Sequence, residues 1–171
     1  MNKRWTYGRP EEKDIRVGDE LFRILLDLPK FFKDAEEGEF AYTIPGYGDH
    51  MNYAIVADRN DAAYGSETFK HKIFHGPNPT NGKFSLNLVA TNSNTVLCRF
   101  DLGKKIFHNN PNTKETIRGN HMHFYERPHV SSLAYKLPDE LSASGIVRIV
   151  EAYLDRCNIS RDNLVIQEAL V

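Results

Sequence analysis

Short strand-like segments separated by turn residues dominate the middle of the chain and restrict it to folds built on an antiparallel sheet. Between residues 40 and 102, FAYTI, YAIVA, FSLNLVA and TVLCRFDL are rich in β-branched and aromatic residues, and Gly, Asn, Asp and Pro clusters divide them. The segment HGPNPTNG at 75–82 is a turn by composition, because proline fixes φ and Asn-Gly favours tight reversals. Together with HMHFY and LAYKL, these segments predict a meander of about six strands over about 39–138.

Apolar residues at helical spacing flank the meander on both sides. The first set predicts a helix over about 17–28, which ends before Pro29, and consists of Leu21, Ile24, Leu25 and Leu28. The second set predicts a helix over about 143–157 and consists of Ile146, Val150, Tyr153 and Cys157. The tail at 164–170 fits either an edge strand or a helical layer. We therefore predict one α+β domain over residues 1–171, with an N-terminal and a C-terminal helix covering a curved antiparallel sheet or half-barrel.

Composition narrows the class of protein. The chain has 171 residues, of which 40% are hydrophobic and 26% charged, as in a soluble globular domain rather than a disordered or collagen-like chain. No apolar run approaches the roughly 18 residues of a membrane span, and the polar start lacks the apolar stretch of a signal peptide. These features predict a cytoplasmic protein without a membrane partner. Cys98 and Cys157 form no CxxC pair and are expected to be buried thiols in a reducing compartment.

Several common catalytic motifs are missing from the sequence. It contains no GxxxxGK[ST], GxGxxG, GxSxG or HExxH, which disfavours nucleotide hydrolysis, Rossmann redox chemistry and serine-hydrolase action. His50, His71 and His75 occur among turn residues and are expected at the surface. Residues 99–136 differ from the rest, because they hold seven basic and three acidic side chains, a net charge of +4, and four of the seven histidines. This segment predicts an anion-attracting surface, with a solvated face as the alternative.

The segment GNHMHFYE carries the strongest chemical pattern in the sequence. Successive side chains of a strand point to opposite faces, so Met122 and Phe124 face the core while His121, His123 and Tyr125 share the other face. We expect that second face to be the wetter one, where an imidazole titrates near neutrality and meets a ligand.

A turn at 107–113 connects this strand with the preceding one. Its sequence, FHNNPNT, is typical of a reversal between two paired strands. His108 stands at the start of the turn and Arg118 follows its end. If the two strands pair as a hairpin, His108 approaches the histidine face and Arg118 places a permanent cation beside it.

These motifs resemble those of a bacterial family of small proteins that is classed as a domain of unknown function. The matching segments are LCRFD at 97–101, HNNP at 108–111, GNHMHFY at 119–125 and AYKLP at 134–138, and the resemblance covers roughly 96–160. Two positions depart from the family pattern. Asn112-Thr113 stands where the family usually has Asp-Gly, and Leu133 stands where an aromatic residue precedes the AYKLP segment. The resemblance implies that the histidines matter, and it implies no established activity.

Three functions are compatible with this segment. The first is a metal-independent ribonuclease, such as the toxin of a bacterial toxin–antitoxin pair, with RNA and a cognate antitoxin as partners. Cleavage of RNA at its own 2′-hydroxyl requires a base, an acid and cations that stabilise the phosphorane. His121 and His123 would be the acid/base pair, His108 can replace either, and Tyr125 would donate a hydrogen bond or stack on a base. The phosphate-binding residues would be Arg118, Lys136 and Arg99.

The second function is a site for a divalent metal such as zinc. Imidazoles two residues apart on a strand can chelate one ion, which here means His121 and His123, with His108 as the third ligand. Glu126 or Asp101 would be a fourth ligand. The ribonuclease hypothesis, in contrast, needs no cofactor.

The third function is not enzymatic. The basic segment would bind nucleic acid or another bacterial protein, as an inhibitor of phage or mobile-element origin does. Binding of this kind weakens steeply with salt, because each neutralised phosphate releases counterions.

Overall fold

A computed structural model of the chain describes residues 17–110, 113–124 and 133–169. Two of its helices are long enough to form several turns, and most of the remaining elements are strands. In chain order the elements are α1 (Val17–Asp27), β1 (Lys30–Phe32), a 3-10 helix (Lys33–Glu37), β2 (Phe40–Ile44), β3 (His50–Ala57), β4 (Thr68–His75), β5 (Phe84–Ala90), β6 (Thr95–Leu102), β7 (Phe107–Asn109), β8 (Thr116–Arg118), β9 (His121–Phe124), β10 (Ala134–Lys136), α2 (Asp139–Ser142), α3 (Ile146–Arg156) and β11 (Leu164–Glu168).

An open antiparallel sheet forms the centre of the described structure and confirms the α+β class. Its seven strands have the order β1-β3-β4-β5-β6-β9-β10, and the sheet does not close into a barrel. The sequence indicated about six strands and missed β1 and β4. It also placed the segment 40–44 in the main sheet, whereas β2 pairs in parallel with β11 in a separate two-stranded sheet. The tail at 164–168 is therefore a strand.

The core lies between one face of the sheet and the helices. Phe100 of β6 packs edge-on against Tyr153 of α3, with 5.3 Å between ring centroids, and α1 lies against β6. The strands contribute alternate residues to this inner face, since every second side chain of a strand points the same way. Cys98 and Cys157 are buried free thiols in this core, as predicted. No helix in the described ranges is both long and apolar enough to cross a membrane.

His71 lies in the middle of β4 and is completely buried, so the expectation of a surface histidine in a turn is wrong. Its Nδ1 lies 3.2 Å from the backbone oxygen of Asn87, which can only accept, so Nδ1 carries the proton. Nε2 then accepts from the hydroxyl of Tyr42 at 2.7 Å. Burial lowers the pKa of His71 to about 4, which keeps the ring neutral.

Lys30 of β1 is also completely buried on the inner side of the sheet. Its Nζ donates to the backbone oxygens of Leu26, Leu28 and Cys157 at 2.8, 2.7 and 2.9 Å. Leu26 lies in the last turn of α1, and Leu28 and Cys157 come just after α1 and α3. At such helix C-terminal ends carbonyl groups lack partners within the helix and a positive charge is favourable. Burial lowers the pKa of Lys30 to about 7. Lys30 thus joins the C-terminal ends of two helices to the edge of the sheet.

Candidate functional site

Pairing between β6 and β9 brings four polar residues together on the outer face of the sheet. The register places Asp101 opposite His121 and Arg99 opposite His123. Side chains directly opposite each other in an antiparallel pair point to the same face, with Cβ atoms about 4.5–5.5 Å apart. The antiparallel pairing of these two strands is present and brings a carboxylate and a guanidinium to the two imidazoles. The expectation that a turn at 107–113 joins them directly is wrong, because Phe107–Asn109 forms β7 and the β7–β8 hairpin lies between β6 and β9.

The alternation in β9 is confirmed, but the expected solvent exposure of the histidine face is wrong. Met122 and Phe124 are buried in the core, while His121 and His123 point to the opposite face. The two histidines are only 3% and 5% exposed. Both faces of this strand are thus covered, although only the inner one is apolar.

The hairpin formed by β7 and β8 covers the histidines. Asn110, just after β7, donates its side-chain Nδ2 to the oxygen of Ala134 at 2.9 Å and accepts from the nitrogen of Ala134 at 2.7 Å. This pair of bonds attaches the hairpin to β10. His108 in β7 then lies with its ring centroid 4.7 Å from that of His123 and 6.1 Å from that of His121. The predicted approach of His108 to the histidine face is confirmed.

A left-handed turn at Gly119 orients His121. Gly119 has φ +77°, a backbone conformation that residues other than glycine rarely adopt. Its carbonyl oxygen lies 2.7 Å from Nδ1 of His121, and a carbonyl can only accept, so Nδ1 carries a proton. Burial lowers the pKa of His121 and keeps its ring neutral, despite the hydrogen bond to Gly119 and the charge of Asp101. The lone pair of the neutral ring therefore resides on Nε2.

Asp101 is the charged centre of the group. Burial disfavours its ionised form, but hydrogen bonds from His123, Arg99 and Ser85, together with the charge of Arg99, hold the pKa of Asp101 well below its usual range. The hydroxyl of Ser85 donates to its Oδ1 at 2.5 Å, and the guanidinium of Arg99 pairs with its Oδ2. Asp101 is consequently a carboxylate with one oxygen directed at the histidines.

The ligand atoms of Asp101, His121 and His123 converge on a small volume. Oδ2 of Asp101 lies 3.7 Å from Nε2 of His121 and 3.4 Å from Nε2 of His123. One ligand atom from each of the three residues lies within 4.8 Å of those from the other two. Two nitrogens and one oxygen at these separations are suited to a divalent transition metal, and the ring of His108 lies beside them.

The remaining predicted site residues occupy other places. Arg99 contacts Asp101, and its side chain is 44% exposed, so it lies at the margin of the histidine group. Arg118 and Lys136 line a separate cleft. Tyr125 and Glu126 lie outside the described residues. Sequence reasoning missed Ser85, because its place beside Asp101 depends on the register between β5 and β6.

Comparison with known proteins identifies a family without an assigned activity. No curated protein matches the chain, and no solved structure matches it. A family model described as "Family of unknown function (DUF6978)" matches residues 18–159, which include every strand of the central sheet and all of the histidine group. The match covers most of the chain and agrees with the predicted membership of a domain-of-unknown-function family. The chain therefore belongs to the family of unknown function DUF6978.

Proposed function

We propose that this protein binds a divalent metal ion of the zinc type through Asp101, His121 and His123. The observation that carries the proposal is that two hydrogen-bond acceptors, Nε2 of His121 and Oδ2 of Asp101, lie close together. The turn at Gly119 fixes the proton of His121 on Nδ1, so that the lone pair of Nε2 faces the oxygen of Asp101 across 3.7 Å. Two acceptors that face each other in a buried place repel, and a cation between them converts the repulsion into attraction.

The surroundings of these residues resemble the support that metal ligands usually have. A ligating histidine commonly donates its other ring N–H to a carbonyl or carboxylate, which fixes the tautomer and the ring orientation. Gly119 provides such a carbonyl to His121, and Ser85 and Arg99 orient the carboxylate of Asp101 by donating to its two oxygens. The neutral imidazole and the ionised carboxylate are also the protonation states that bind a metal.

His108 decides which kind of metal site this is. As a fourth ligand it would complete a tetrahedral shell, as in structural zinc sites. Without it, three protein ligands leave one position for water, as in catalytic zinc sites. Metal affinity of a His108→Ala variant separates the two cases, because loss of a ligand weakens binding far more than loss of a neighbouring ring does.

Metal titration tests the proposal directly. Protein purified without a histidine tag and stripped with a chelator is titrated with Zn²⁺ by calorimetry and with Co²⁺ by visible absorption. We expect one ion per chain and a tetrahedral Co²⁺ spectrum, with affinity at least about 100-fold lower in His123→Ala and Asp101→Asn. His50→Ala is the matched control, because His50 is an exposed histidine on β3 and should leave affinity unchanged. Absence of stoichiometric binding in the unmodified protein would contradict the proposal.

The metal-independent ribonuclease is the second candidate. In its favour, the rings of His121 and His123 are 4.9 Å apart, and the exposed guanidinium of Arg99 adjoins them. Against it, both rings are nearly inaccessible, so a phosphate can touch them only if the residues that cover them move. RNA cleavage that persists in excess chelator and disappears in His121→Ala would favour this candidate over the metal site. The third candidate, a non-enzymatic binding protein, stays a prediction. It would be favoured if the protein kept its effect in the cell after His108, His121 and His123 were all replaced by alanine.

A further inference from the structure

A cleft of about 740 Å³ opens at the beginning of β9, beside the histidine group but separate from it. Gly119 and Asn120 form part of its wall, and His121 follows them in the chain. The side chain of Asn120 accepts a hydrogen bond from the nitrogen of Gly103 at 2.9 Å, which holds the loop after β6 against the start of β9. The wall is thus fixed by the fold. A cleft of this volume is in the range of small-molecule sites.

The charges around the cleft are mainly positive. Lys104, Arg118 and Lys136 line it together with one acidic residue, Asp139. Nζ of Lys136 lies 2.6 Å from Oδ1 of Asp139, so these two charges neutralise each other. Within the described ranges, Lys104 and Arg118 form no ion pair. Two cations on one cleft of a chain with net charge −1 favour an anionic ligand.

Other lining groups fit an oxyanion with several acceptor oxygens. The hydroxyl of Ser142 lines the cleft and can donate to a phosphate oxygen, whereas those of Thr80 and Ser144 donate to Asn78 and to the backbone oxygen of Leu141. Ser144 and Ile146 stand on either side of Gly145, the N-cap of α3, so the positive end of an 11-residue helix adjoins the cleft. Its first turn contains no acidic residue that would compete with a bound anion.

The cleft is also partly apolar. Leu102, Ile146, Ile149 and Pro79 are among its lining residues. Leu102 and Ile149 are buried, whereas Pro79 is exposed and Ile146 is partly exposed. An inorganic anion would leave Pro79 and Ile146 in water, whereas a ligand with a ring or an aliphatic portion would cover them and gain from the removal of apolar surface from water. The lining therefore combines a cationic part for phosphate with an apolar part for a ring.

We propose that this cleft binds a small phosphate monoester with an aromatic or aliphatic portion, of the size and chemistry of a nucleoside monophosphate. Arg118 and Lys104 contact the phosphate, and the apolar side chains contact the ring. The proposal does not depend on metal binding by the histidine group, because none of Asp101, His121 and His123 lines the cleft.

Amide chemical-shift titration of the full chain tests the proposal. The probes are the four common nucleoside monophosphates, adenosine without phosphate, and inorganic phosphate, each in buffer with a chelator. We expect saturable shifts at Gly103, Gly119 and Ser144 with at least one nucleotide, and binding at least tenfold weaker for adenosine and for inorganic phosphate. Arg118→Ala and Lys104→Ala should each weaken nucleotide binding about tenfold, which corresponds to the 1.4 kcal/mol of one decade.

Matched variants separate this cleft from general charge effects and from the metal site. Lys72→Ala removes an exposed lysine of β4 that does not line the cleft, so it should keep the affinity of the unmodified protein. His123→Ala should also retain nucleotide binding, whatever its effect on metal. The proposal is overturned if no nucleotide binds at millimolar concentration, if Lys72→Ala weakens binding as much as Arg118→Ala does, or if only an RNA oligonucleotide binds.

Discussion

The sheet carries a buried polar group on each face, and the two groups differ in how donors and acceptors are matched. On the inner side, Lys30 offers the three N–H bonds of an ammonium to three carbonyl oxygens. On the outer side, the carboxylate of Asp101 lies opposite Nε2 of His121, which is an acceptor in the tautomer that Gly119 imposes. Donors meet acceptors throughout the first group, whereas the second, although Asp101 accepts from Ser85, Arg99 and His123, contains one pair of acceptors that face each other.

This difference assigns different roles to the two groups. A buried polar network whose members are all satisfied holds a structure together, and one that is left mismatched marks a place where a further partner is required. Lys30 therefore stabilises the fold, and the Asp101 group is the candidate site. Substitutions on the two faces should separate stability from metal binding.

Lys30→Met should cause the largest loss of stability. Methionine keeps most of the aliphatic volume but removes the three donors, so the oxygens of Leu26, Leu28 and Cys157 lose their buried partner. Since a buried unsatisfied acceptor costs about 1–3 kcal/mol, we expect the free energy of unfolding to fall by about 3 kcal/mol in urea titrations. Lys70→Met, at an exposed position of β4, should change it by no more than about 0.5 kcal/mol. Equal effects of the two variants would refute the structural role of Lys30.

Zinc should stabilise the protein through the outer group alone. An ion that binds only the folded chain adds about 2.7 kcal/mol to the free energy of unfolding when its concentration is 100 times the dissociation constant. We expect this increment in the unmodified protein and in Lys30→Met, because distant sites act additively. Asp101→Asn should lose it. An increment that survives in Asp101→Asn would place the metal elsewhere.

The sequence predicts the parts of this comparison that depend on local pattern. Apolar periodicity gives α1 and α3, and alternation in β9 separates His121 and His123 from Met122 and Phe124. Prediction from local pattern fails for β4, where the sequence TFKHKIFH alternates as a strand does but has His71 at a core position. A histidine is read as polar unless its partners are known, and Tyr42 is brought to His71 only by the tertiary fold.

The sequence predicts which histidines come together in the site, but not that they are buried. The pattern around residues 99–123 points to the right strands and to the approach of His108. Burial of the histidines depends on the β7–β8 hairpin folding over them, which Asn110 secures through hydrogen bonds to Ala134 of another strand. The support of Asp101 by Ser85 depends on a cross-strand register, and no local pattern specifies it.

Acidification should lower the free energy of unfolding, and part of this loss can be assigned to His71 on the inner side of the sheet. Its pKa is about 4 in the folded protein, mainly because of burial, against an ordinary value of 6.5. The unfolded chain therefore binds the proton more readily, so the stabilisation is present above pH 6.5 and is lost as the pH falls towards 4. Between about pH 7.5 and 5 the loss due to this residue is about 2 kcal/mol.

Urea unfolding of His71→Gln at the two pH values provides the control for this effect. Glutamine retains a donor and an acceptor but does not titrate, so the variant should lose about 2 kcal/mol less on acidification than the unmodified protein. The measurement is made without added metal. The lowered pKa of His121 acts with the same sign in both proteins and cancels in the difference. Parallel stability curves would exclude His71 as the origin of the effect.

Asn110→Ala should have the smallest effect, and it acts on the outer group only. The variant removes both hydrogen bonds that attach the β7–β8 hairpin to Ala134, so His108 is held less firmly beside His123. Because groups that orient ligands typically change metal affinity by about 10–100-fold, we expect Zn²⁺ binding about tenfold weaker by calorimetry. This tenfold weakening is a loss of about 1.4 kcal/mol in binding free energy. Asn110→Ala should cause no such loss when His108→Ala is already present, since the hairpin then has no histidine to position. Equal weakening by Asn110→Ala in both backgrounds would mean that the hairpin acts on the metal by shielding it from water rather than by placing His108.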